Sequence, residues 1–413
     1  MKKIFIYCEP LACRRRALDA YRTYVYMLKN GYKVVSSPRD ADFIVFFTCA
    51  AVNETTDLAL EKIKKFQRCG AELIVAGCLP VIEKEKLLEI FAGRTVGTRE
   101  LKKMEDIFPG KVKYSDVKDA NFLLYGKILL DGDPRKPTLR TLYANIVSSV
   151  MKHTLGRDSL IYILYRKDLF HIRVAWGCPN RCSYCAIRIS TGDIRSKPVE
   201  RCVEELKDGL EKNFKDFIIT AENVGAYGLD INSNLVELLR EFLKIKEDYR
   251  LIIRNIPPWW IIKNLNSFLE ILEDGRITAI EVPIESGSQR ILQLMRRYPY
   301  IDKMKECFLT IKDSFPNISI YTHVIIGFPT ESQKDFEETL TFLRDCRFDG
   351  GQIFPFSIKD CTEAKNIEPK VSKDVIFARM KLAKRFLKRE KYRVVRVSGI
   401  NALIFDKKQR GNW

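Results

Sequence analysis

The sequence predicts an α/β protein with a small parallel sheet first, a partial (β/α)6 barrel second and a short β tail at the end. Two observations predict it: short β-type runs alternate with helical stretches in two separate series, and turn residues separate the runs. Such alternation favours parallel sheets, because each helix carries the chain back across its sheet. A chain of 413 residues is also too long for one ordinary core.

The first series occupies residues 1–111, which we predict to be a domain. It has helices at about 17–30 and 55–68 and strand-like runs KKIFIY, YKVVS, DFIVFFT and ELIVAG. Cys13 lies in the loop after the first run, Cys49 directly follows DFIVFFT, and Cys78 follows ELIVAG. Loops at the carboxyl ends of parallel strands meet at one edge of a sheet, which would bring these thiols together. The alternative for each is a buried structural cysteine.

The second series follows a weaker stretch. Residues 112–167 read as a linker with a local helix at about 142–152, and 168–371 as the barrel, with helices at 198–213 and 333–345. Its six strand signals are FHIRVAW, FIITAEN, RLIIRNI, AIEVPIE, ISIYTHVIIGF and GGQIFPF. Residues 372–413 are predicted to form a basic helix, 372–391, and two strand-like segments, YRVVRV and NALIFD. This order of elements is typical of an open barrel.

Composition narrows the classes of partner and compartment. The formal charge of +18 favours an anionic partner such as nucleic acid, although a Lys-rich and Ile-rich composition alone can produce it. No apolar run is long enough to span a membrane, and the start MKKIFIYCEPLAC lacks the apolar core of an export signal. Twelve cysteines without an export signal indicate metal ligation or a reducing cytosol rather than disulfides. We therefore expect a cytoplasmic protein with no membrane partner.

One loop directly after the first predicted barrel strand carries three thiols. The segment WGCPNRCSYC places Cys178, Cys182 and Cys185 in the spacing C-x3-C-x2-C. Three cysteines on a 4Fe–4S cluster leave one iron open for a cofactor or substrate, whereas structural zinc requires four ligands. A zinc site completed by His171 or Cys202 is the alternative.

With Tyr184 just before the last cysteine, this loop resembles that of the radical S-adenosylmethionine (SAM) superfamily. The resemblance implies that the open iron chelates the amino and carboxylate groups of SAM. From about residue 1 to 405 the chain is similar to one branch, the methylthiotransferases, and most closely to its archaeal and eukaryotic members that act on threonylcarbamoyladenosine in tRNA. Cys13 before Asp19, Thr48-Cys49 and Gly77-Cys78 match the three motifs whose cysteines hold a second 4Fe–4S cluster in that family.

Three further blocks resemble the family's SAM-binding and substrate-binding segments. In TAENVGAYGLD, Glu222 would contact the SAM amino group, as suits a carboxylate facing an ammonium. VPIESGSQRILQLMRRY would line the pocket, and in VIIGFPTESQKDFEET a glycine would let the backbone approach the adenine. The residues that the resemblance assigns to SAM are Tyr184, Glu222, Asn223, Glu285, Ser286, Gly327 and Lys359.

The chain departs from the family pattern at several of these positions. Glu285 stands where glutamine is usual, Thr330 where glycine is usual, and Arg16 where asparagine is usual. In the block from Ser357 to Ala364, Lys359 replaces an arginine and Cys361 replaces a glycine. Lysine and arginine are not equivalent where a carboxylate or phosphate is clamped, so these changes bear mainly on substrate choice.

A second departure concerns the family's C-terminal TRAM-like β-barrel, which serves RNA or protein recognition. About 20 residues follow Lys391 here, and they resemble only the first hairpin of that module. Two strands cannot close a barrel, so we expect the usual RNA-binding module to be missing or replaced.

The resemblance implies sulfur or methylthio insertion at an unactivated C–H bond. A 5′-deoxyadenosyl radical made at the cluster on Cys178, Cys182 and Cys185 would abstract hydrogen, and the second cluster would carry the sulfur. The substrate would be a modified adenosine in tRNA, or alternatively a peptide, ribosomal protein or small metabolite. A reductant such as flavodoxin or ferredoxin would supply electrons. Two other hypotheses are a second cluster that only transfers electrons and a non-catalytic iron–sulfur protein that binds nucleic acid.

Overall fold

The computed structural model describes residues 1–124, 126–127, 155, 159–166 and 169–407. Backbone contacts divide the chain into two compact units. The first unit comprises 1–142, 185–192 and 359–361, and the second comprises 143–184, 193–358 and 362–413. The helix predicted at 142–152 lies outside the described residues, and the four-part division at 111, 167 and 371 stays a prediction.

The bounds of the regular elements follow in chain order. The α-helices are α1 Arg14–Lys29, α2 Asn53–Gln67, α3 Leu79–Ile82, α4 Lys84–Leu88, α5 Met104–Ile107, α6 Leu160–Tyr165, α7 Ile187–Thr191, α8 Val199–Glu211, α9 Leu235–Leu243, α10 Pro258–Lys263, α11 Leu265–Leu272, α12 Gln289–Leu294, α13 Ile301–Ser314, α14 Gln333–Asp345 and α15 Lys373–Arg389. The strands are β1 Lys3–Cys8, β2 Lys33–Val34, β3 Phe43–Thr48, β4 Glu72–Gly77, β5 Arg94–Gly97, β6 Gly126–Lys127, β7 Phe170–Arg173, β8 Ala175–Trp176, β9 Arg195–Ser196, β10 Asp216–Thr220, β11 Arg250–Ile253, β12 Ile277–Glu281, β13 Ser319–Ile326, β14 Gly350–Pro355, β15 Tyr392–Val397 and β16 Ala402–Lys407.

The first unit is built on a sheet with the strand order β2-β1-β3-β4-β5. These five strands are parallel, and β6 pairs with β1 in the antiparallel sense. The central strands are apolar on both faces because helices cover both. Ile6, Val45 and Ile74 form one core with residues of α1, whereas Phe46 and Val75 join a second core with residues of α2.

The second unit contains a sheet with the order β15-β16-β14-β13-β12-β11-β10-β7. Its six strands from β7 to β14 are parallel, and they are the six strands that the sequence predicts. The tail folds as the antiparallel hairpin β15–β16, which pairs with β14 and so extends this sheet. The predicted fold class is confirmed. Whether the hairpin corresponds to the start of a TRAM-like module stays a prediction.

The two faces of this sheet have different neighbours. Phe217 contacts Gly209 of α8, so its side of the sheet faces the surrounding helices. Ile218, Ile252 and Ala279 point to the opposite side, where they form a core with α6. We call this second side the inner face. Because strand side chains alternate, the inner face also receives the residues two positions further along each strand.

The helices predicted within the described residues are present, with ends shifted by at most three residues. One prediction matches in full: α14 spans Gln333–Asp345, and a capping box of Ser332 and Asp335 fixes its start. In contrast, α1 begins at Arg14 rather than at Ala17. Within the described residues, no helix is long and apolar enough to cross a membrane.

Candidate active site

Three cysteines of the first unit lie at one edge of its sheet. Cys49 directly follows β3, Cys78 directly follows the adjacent β4, and Cys13 caps the start of α1 after β1, the other neighbour of β3. The backbone N–H of Cys78 donates to the Thr48 carbonyl oxygen at 3.2 Å. The thiols are close enough for Cys13 and Cys49 each to influence the ionisation of Cys78. The structure therefore brings these three predicted residues together.

Two of these three thiols are buried away from solvent. Cys49 and Cys78 are only 2% and 1% exposed, whereas Cys13 is half-buried. Burial raises the pKa of Cys78 to about 12, and nearby Arg16 opposes that rise. Burial likewise raises the pKa of Cys49, although a hydrogen bond from the Ala51 backbone N–H lowers it in part. Both thiols are therefore protonated at neutral pH unless a cation binds them.

This donor set suits an iron–sulfur cluster better than a single ion. Among the described residues, no three Cys, His, Asp or Glu side chains lie close enough to hold one metal ion. In a cluster each thiolate binds a different iron, so its ligands stand further apart. The zinc site completed by His171 or Cys202 stays a hypothesis.

In the second unit, two side chains contact the first two thiols of the cysteine loop. The Asn223 amide nitrogen, Nδ2, donates to Cys178 Sγ at 3.7 Å. The Arg297 guanidinium donates to Cys182 Sγ at 3.8 Å. Hydrogen bonds to cysteine sulfur are a means by which proteins tune iron–sulfur centres. Cys185, the third cysteine of the loop, belongs to the first unit.

Arg297 lies at the centre of a small charged group. Besides Cys182, it donates to the Pro283 carbonyl oxygen at 2.6 Å and lies 3.7 Å from Glu285 Oε1. Burial would lower the pKa of Arg297, but the charges of Tyr184, Glu285 and Cys182 raise it above its ordinary value. A permanent cation therefore stands beside the loop. The sequence had grouped Arg297 only within a longer block.

Glu222 ties the start of the cysteine loop to the barrel. Its carboxylate accepts hydrogen bonds from Arg173 Nη2 at 3.0 Å and from the Gly177 N–H at 3.1 Å. The side chain is 3% exposed. Arg173 in turn lies over the Trp176 ring, 5.1 Å from its centroid. The predicted contact between Glu222 and the SAM amino group stays a prediction.

Glu285 and Ser286 have different surroundings. Glu285 has a φ of 69°. Its backbone N–H donates a hydrogen bond to the His323 carbonyl oxygen of β13, and its carbonyl oxygen accepts one from the Ile325 N–H. The Ser286 hydroxyl is fully buried, 3.2 Å from the Thr339 hydroxyl of α14. Glu285 therefore faces Arg297, whereas Ser286 helps to fasten its loop to a helix.

Position 327 requires a glycine, because the Ile376 side chain leaves no room for a larger residue there. Gly327 has a φ of 88°, and a Cβ there would lie 2.3 Å from Ile376 Cγ1. A larger residue would therefore be strained in two ways. The predicted contact of this backbone with adenine stays a prediction.

Lys359 is engaged within the first unit. Its ammonium donates to Glu83 Oε1 at 2.8 Å and to the Thr56 hydroxyl at 2.9 Å. Its side chain is only 1% exposed. Lys359 and Glu83 are 276 positions apart in the sequence, so their ion pair could not be predicted from it. The SAM contact assigned to Lys359 stays a prediction.

A cavity of about 130 Å³ opens in the second unit next to the residues between Cys178 and Cys182. Its lining combines aromatic, apolar and guanidinium groups: Asn180, Arg181, Pro258, Trp259, Ile284, Arg296, Arg297 and Tyr298. Of the two tryptophans that follow the proline pair, Trp259 lines this cavity, whereas Trp260 packs edge-on against Phe268. The cavity has the chemistry of a site for a planar, anionic group.

Comparison with protein families gives two matches. Residues 172–343 match the radical SAM superfamily, and residues 5–96 match the family described as Uncharacterized protein family UPF0004. The first match covers the cysteine loop and the barrel strands from β10 to β13. The second covers the sheet that carries Cys13, Cys49 and Cys78.

Curated relatives match most of the chain. A probable threonylcarbamoyladenosine tRNA methylthiotransferase of Pyrococcus abyssi is 26% identical over 87% of this chain and 78% of the relative. A ribosomal protein uS12 methylthiotransferase of Thermotoga maritima is 25% identical over 89% of this chain and 79% of the relative.

Among solved structures, the radical SAM methyltransferase TsrM of Kitasatospora setae aligns with a TM-score of 0.60 at 13% identity. The alignment covers 88% of this chain and 77% of that one. This likeness concerns the fold. The match of residues 172–343 and the cysteine loop within them support a radical SAM enzyme, for which one 4Fe–4S cluster and SAM are implied.

Within that class, the curated relatives that this chain resembles over most of its length are named as methylthiotransferases. These named enzymes favour an enzyme over a non-catalytic iron–sulfur protein. The contacts of Arg173, Arg297 and Lys359 could not be predicted from the sequence, because each joins residues that are far apart in the chain.

Proposed function

We propose that this protein inserts sulfur or a methylthio group at an unactivated C–H bond of a modified adenosine in tRNA. In this proposal Cys13, Cys49 and Cys78 hold a second 4Fe–4S cluster. The observation that carries it is the convergence of these three thiols, from three loops, at one edge of the first sheet. Three cysteines leave one iron of a cluster available for an exogenous sulfur ligand.

When bound, the loop cluster and SAM supply the radical, and the second cluster supplies the sulfur. The chain's own residues prepare the sites. Arg297 places a fixed cation beside Cys182, and Asn223 orients Cys178. The near-complete burial of Cys49 and Cys78 keeps water from the sulfur-bearing edge. Electrons would come from a small reductant such as flavodoxin or ferredoxin.

Two observations support tRNA as the substrate. Several relatives, from Pyrococcus horikoshii, Pyrococcus abyssi and Methanocaldococcus jannaschii, are named as probable threonylcarbamoyladenosine tRNA methylthiotransferases. The cavity beside the loop offers Trp259 and Tyr298 for stacking, with Arg181 and Arg296 for phosphate. The second candidate is a ribosomal protein substrate, which the relatives named for uS12 support.

The deciding experiment compares iron and sulfide content, with EPR, in anaerobically reconstituted wild type and a Cys13→Ala, Cys49→Ala, Cys78→Ala triple variant. We expect about eight irons per chain to fall to about four. A Cys69→Ala variant is the control, because Cys69 lies in the same unit but follows α2, away from the sheet edge. About four irons in all three proteins would remove the second cluster. For the substrate, affinity for a tRNA transcript with a steep salt dependence would favour RNA.

A further inference from the structure

A fourth cysteine lies at the same edge of the first sheet as Cys13, Cys49 and Cys78. Cys8 is the last residue of β1, and it pairs in register with Phe47 of β3, two residues before Cys49. Cys8 and Cys49 contribute to the same core, on the α1 side of the sheet. The sheet therefore directs both of these thiols to one face, because strand side chains alternate.

The thiols of this edge are close enough to influence one another. Burial raises the pKa of Cys8 most, and the charges of Cys13 and Cys49 raise it further, whereas Arg16 lowers it. Cys13 and Cys49 act on the ionisation of Cys78 in the same way, and Arg16 again opposes them. The four thiols therefore form one group beside a single buried guanidinium.

The spacing of this group suits a cluster with four cysteine ligands. Within the part of the chain that the structure describes, no three Cys, His, Asp or Glu side chains lie close enough to hold one metal ion. A 4Fe–4S cluster is larger and takes one cysteine on each of its irons. Cys8 is therefore the candidate ligand for the iron that Cys13, Cys49 and Cys78 leave open.

The neutral Cys8 thiol also has a stable position of its own. The side chain is fully buried in the core, and its Sγ donates a weak hydrogen bond to the Glu9 carbonyl oxygen at 3.8 Å. A protonated thiol behaves as a small apolar group and a weak donor, so this place suits it. A different χ1 rotamer would redirect the sulfur while the backbone of β1 keeps its hydrogen bonds. Binding of Cys8 to iron can therefore be reversible.

We propose that Cys8 is a fourth, exchangeable ligand of the cluster on Cys13, Cys49 and Cys78, and that it covers the open iron until an external sulfur ligand displaces it. This inference rests on the proposed function, because it requires that cluster. When the incoming ligand is hydrogen sulfide, the bond from iron to Cys8 breaks and a bond from iron to hydrosulfide forms. The proton released by hydrogen sulfide passes to the Cys8 sulfur, and no electrons are transferred. Cys8 thus protects the iron whenever no sulfur ligand is available.

The test uses the full chain with Cys178→Ala, Cys182→Ala and Cys185→Ala, so that only the second cluster is reconstituted. This parent variant is compared with the same protein carrying Cys8→Ala. Mild oxidation with ferricyanide removes an iron that has no protein ligand and leaves a 3Fe–4S cluster, which EPR detects. We expect the iron content of the Cys8→Ala protein to fall from about four to about three per chain on oxidation, whereas the parent variant keeps about four.

A titration with sodium sulfide tests the exchange. The EPR spectrum of the reduced parent variant should change as sulfide displaces Cys8. The Cys8→Ala protein should need roughly tenfold less sulfide for the same change, because no internal ligand competes for the iron. A parent variant that does not respond to sulfide, beside a Cys8→Ala protein that does, would overturn the exchange, since Cys8 would then be a permanent ligand.

The matched control is Ile6→Val in the parent variant. Ile6 lies two residues before Cys8 on β1, is equally buried and contributes to the same core. Its substitution loosens that core without removing a thiol, so the irons should be retained on oxidation. If Cys8→Ala does not fold, Mössbauer spectra of the iron-57-enriched parent variant replace it. Irons that all carry cysteine give similar signals, whereas an open iron gives a distinct one and would overturn the inference.

The failure of this inference and that of the proposed function give different results. A parent variant that binds no iron would mean that the second cluster does not exist, and both would fall. About four irons, with an equal 3Fe–4S signal in the parent variant and in the Cys8→Ala protein, would overturn the inference alone. The proposed sulfur-carrying cluster on Cys13, Cys49 and Cys78 would then stand with its iron open from the start.

Discussion

The two sets of three cysteines are held in opposite ways. In the first unit, Cys13, Cys49 and Cys78 come from three separate connections that meet only because β1, β3 and β4 are neighbours. In the loop that follows β8, the three cysteines lie within eight consecutive residues, 178–185. The first set is a property of a folded sheet, whereas the second is largely a property of local sequence.

This difference teaches where each site is vulnerable. A change that loosens the first sheet should disperse its thiols, because no short segment holds two of them. A change near the loop should alter the electronic surroundings of its thiols rather than their spacing. The following predictions test this contrast from the largest expected effect to the smallest.

The largest effect should come from Lys359→Met. The Glu83 side chain is only 4% exposed, and this substitution removes its buried partner, the Lys359 ammonium. Glu83 keeps only its ion pair with Lys86, at 2.9 Å. Breaking a buried ion pair typically costs about 3–5 kcal/mol. We expect the far-UV circular dichroism transition to move to a lower temperature, and iron bound through the first unit to be lost with it.

Lys86→Met is the matched control for this prediction. Lys86 binds the other oxygen of Glu83, but its side chain is 44% exposed, so its removal should cost about 1 kcal/mol or less. Among the described residues, the tryptophans Trp176, Trp259 and Trp260 belong to the second unit. Tryptophan fluorescence should therefore be little affected by either variant. Equal stability of Lys359→Met and wild type would contradict the structural role of Lys359.

The second prediction concerns pH, because buried carboxylates of the two units shift in opposite directions. Burial raises the pKa of Glu331 in the second unit to about 7 from 4.5, despite Arg379. In the first unit, burial of Glu83 is outweighed by hydrogen bonds from Lys359 and Lys86, which lower its pKa. Folding therefore favours protonated Glu331 but ionised Glu83.

The sign follows from proton linkage. The pKa of Glu331 is higher in the folded than in the unfolded protein, so protonated Glu331 stabilises the fold fully below pH 4.5. This contribution, on the order of 3 kcal/mol, is lost as the pH rises to about 7. The Glu83 contribution is constant over that window, since it is lost only as the pH falls below the ordinary value of 4.5. We expect the tryptophan-fluorescence melting temperature to fall between pH 5 and pH 7 by less in Glu331→Gln than in wild type. Asp406, whose pKa burial raises to about 6, keeps some slope in the variant. An identical slope in both proteins would contradict the assignment.

Much of the architecture could be predicted because its causes are local. The six barrel strands are apolar runs bounded by turns, and α14 is framed by Ser332 and Asp335, three residues apart. The start of α1 was placed too late because Arg14 and Arg16 read as polar loop residues, whereas the structure buries both. Long side chains with a charged end can be buried when partners are present, which periodicity does not reveal.

The contacts around the site could be predicted only in part. Cysteine positions followed from motif spacing, since metal ligands must be of fixed type and order. The pairs Arg254–Glu281 and Lys359–Glu83 join different strands and loops, so no local pattern signals them. The sequence assigned Lys359 to SAM and assigned no role to Arg254, Glu281 or Glu83. What folding adds is the choice of partner, which depends on sheet order and register.

The smallest effect we expect is on the reduction potential of the loop cluster in Arg297→Lys. The Arg297 guanidinium donates to Cys182 Sγ at 3.8 Å and to the Pro283 carbonyl, a fork that a lysine ammonium cannot reproduce. A donor to the thiolate stabilises the reduced cluster, so its loss should make the potential more negative by about 59 mV, a tenfold change for one electron. Arg296→Lys, an exposed neighbour paired with Glu363, is the control and should leave the potential unchanged. Both variants should bind as much iron as wild type, because the loop keeps its three cysteines. The reduction potentials are measured by an EPR-monitored redox titration. If all three proteins have the same potential, Arg297 holds the loop in place but does not change the reduction potential of its cluster. The contrast between the two sets of cysteines would then rest on geometry alone.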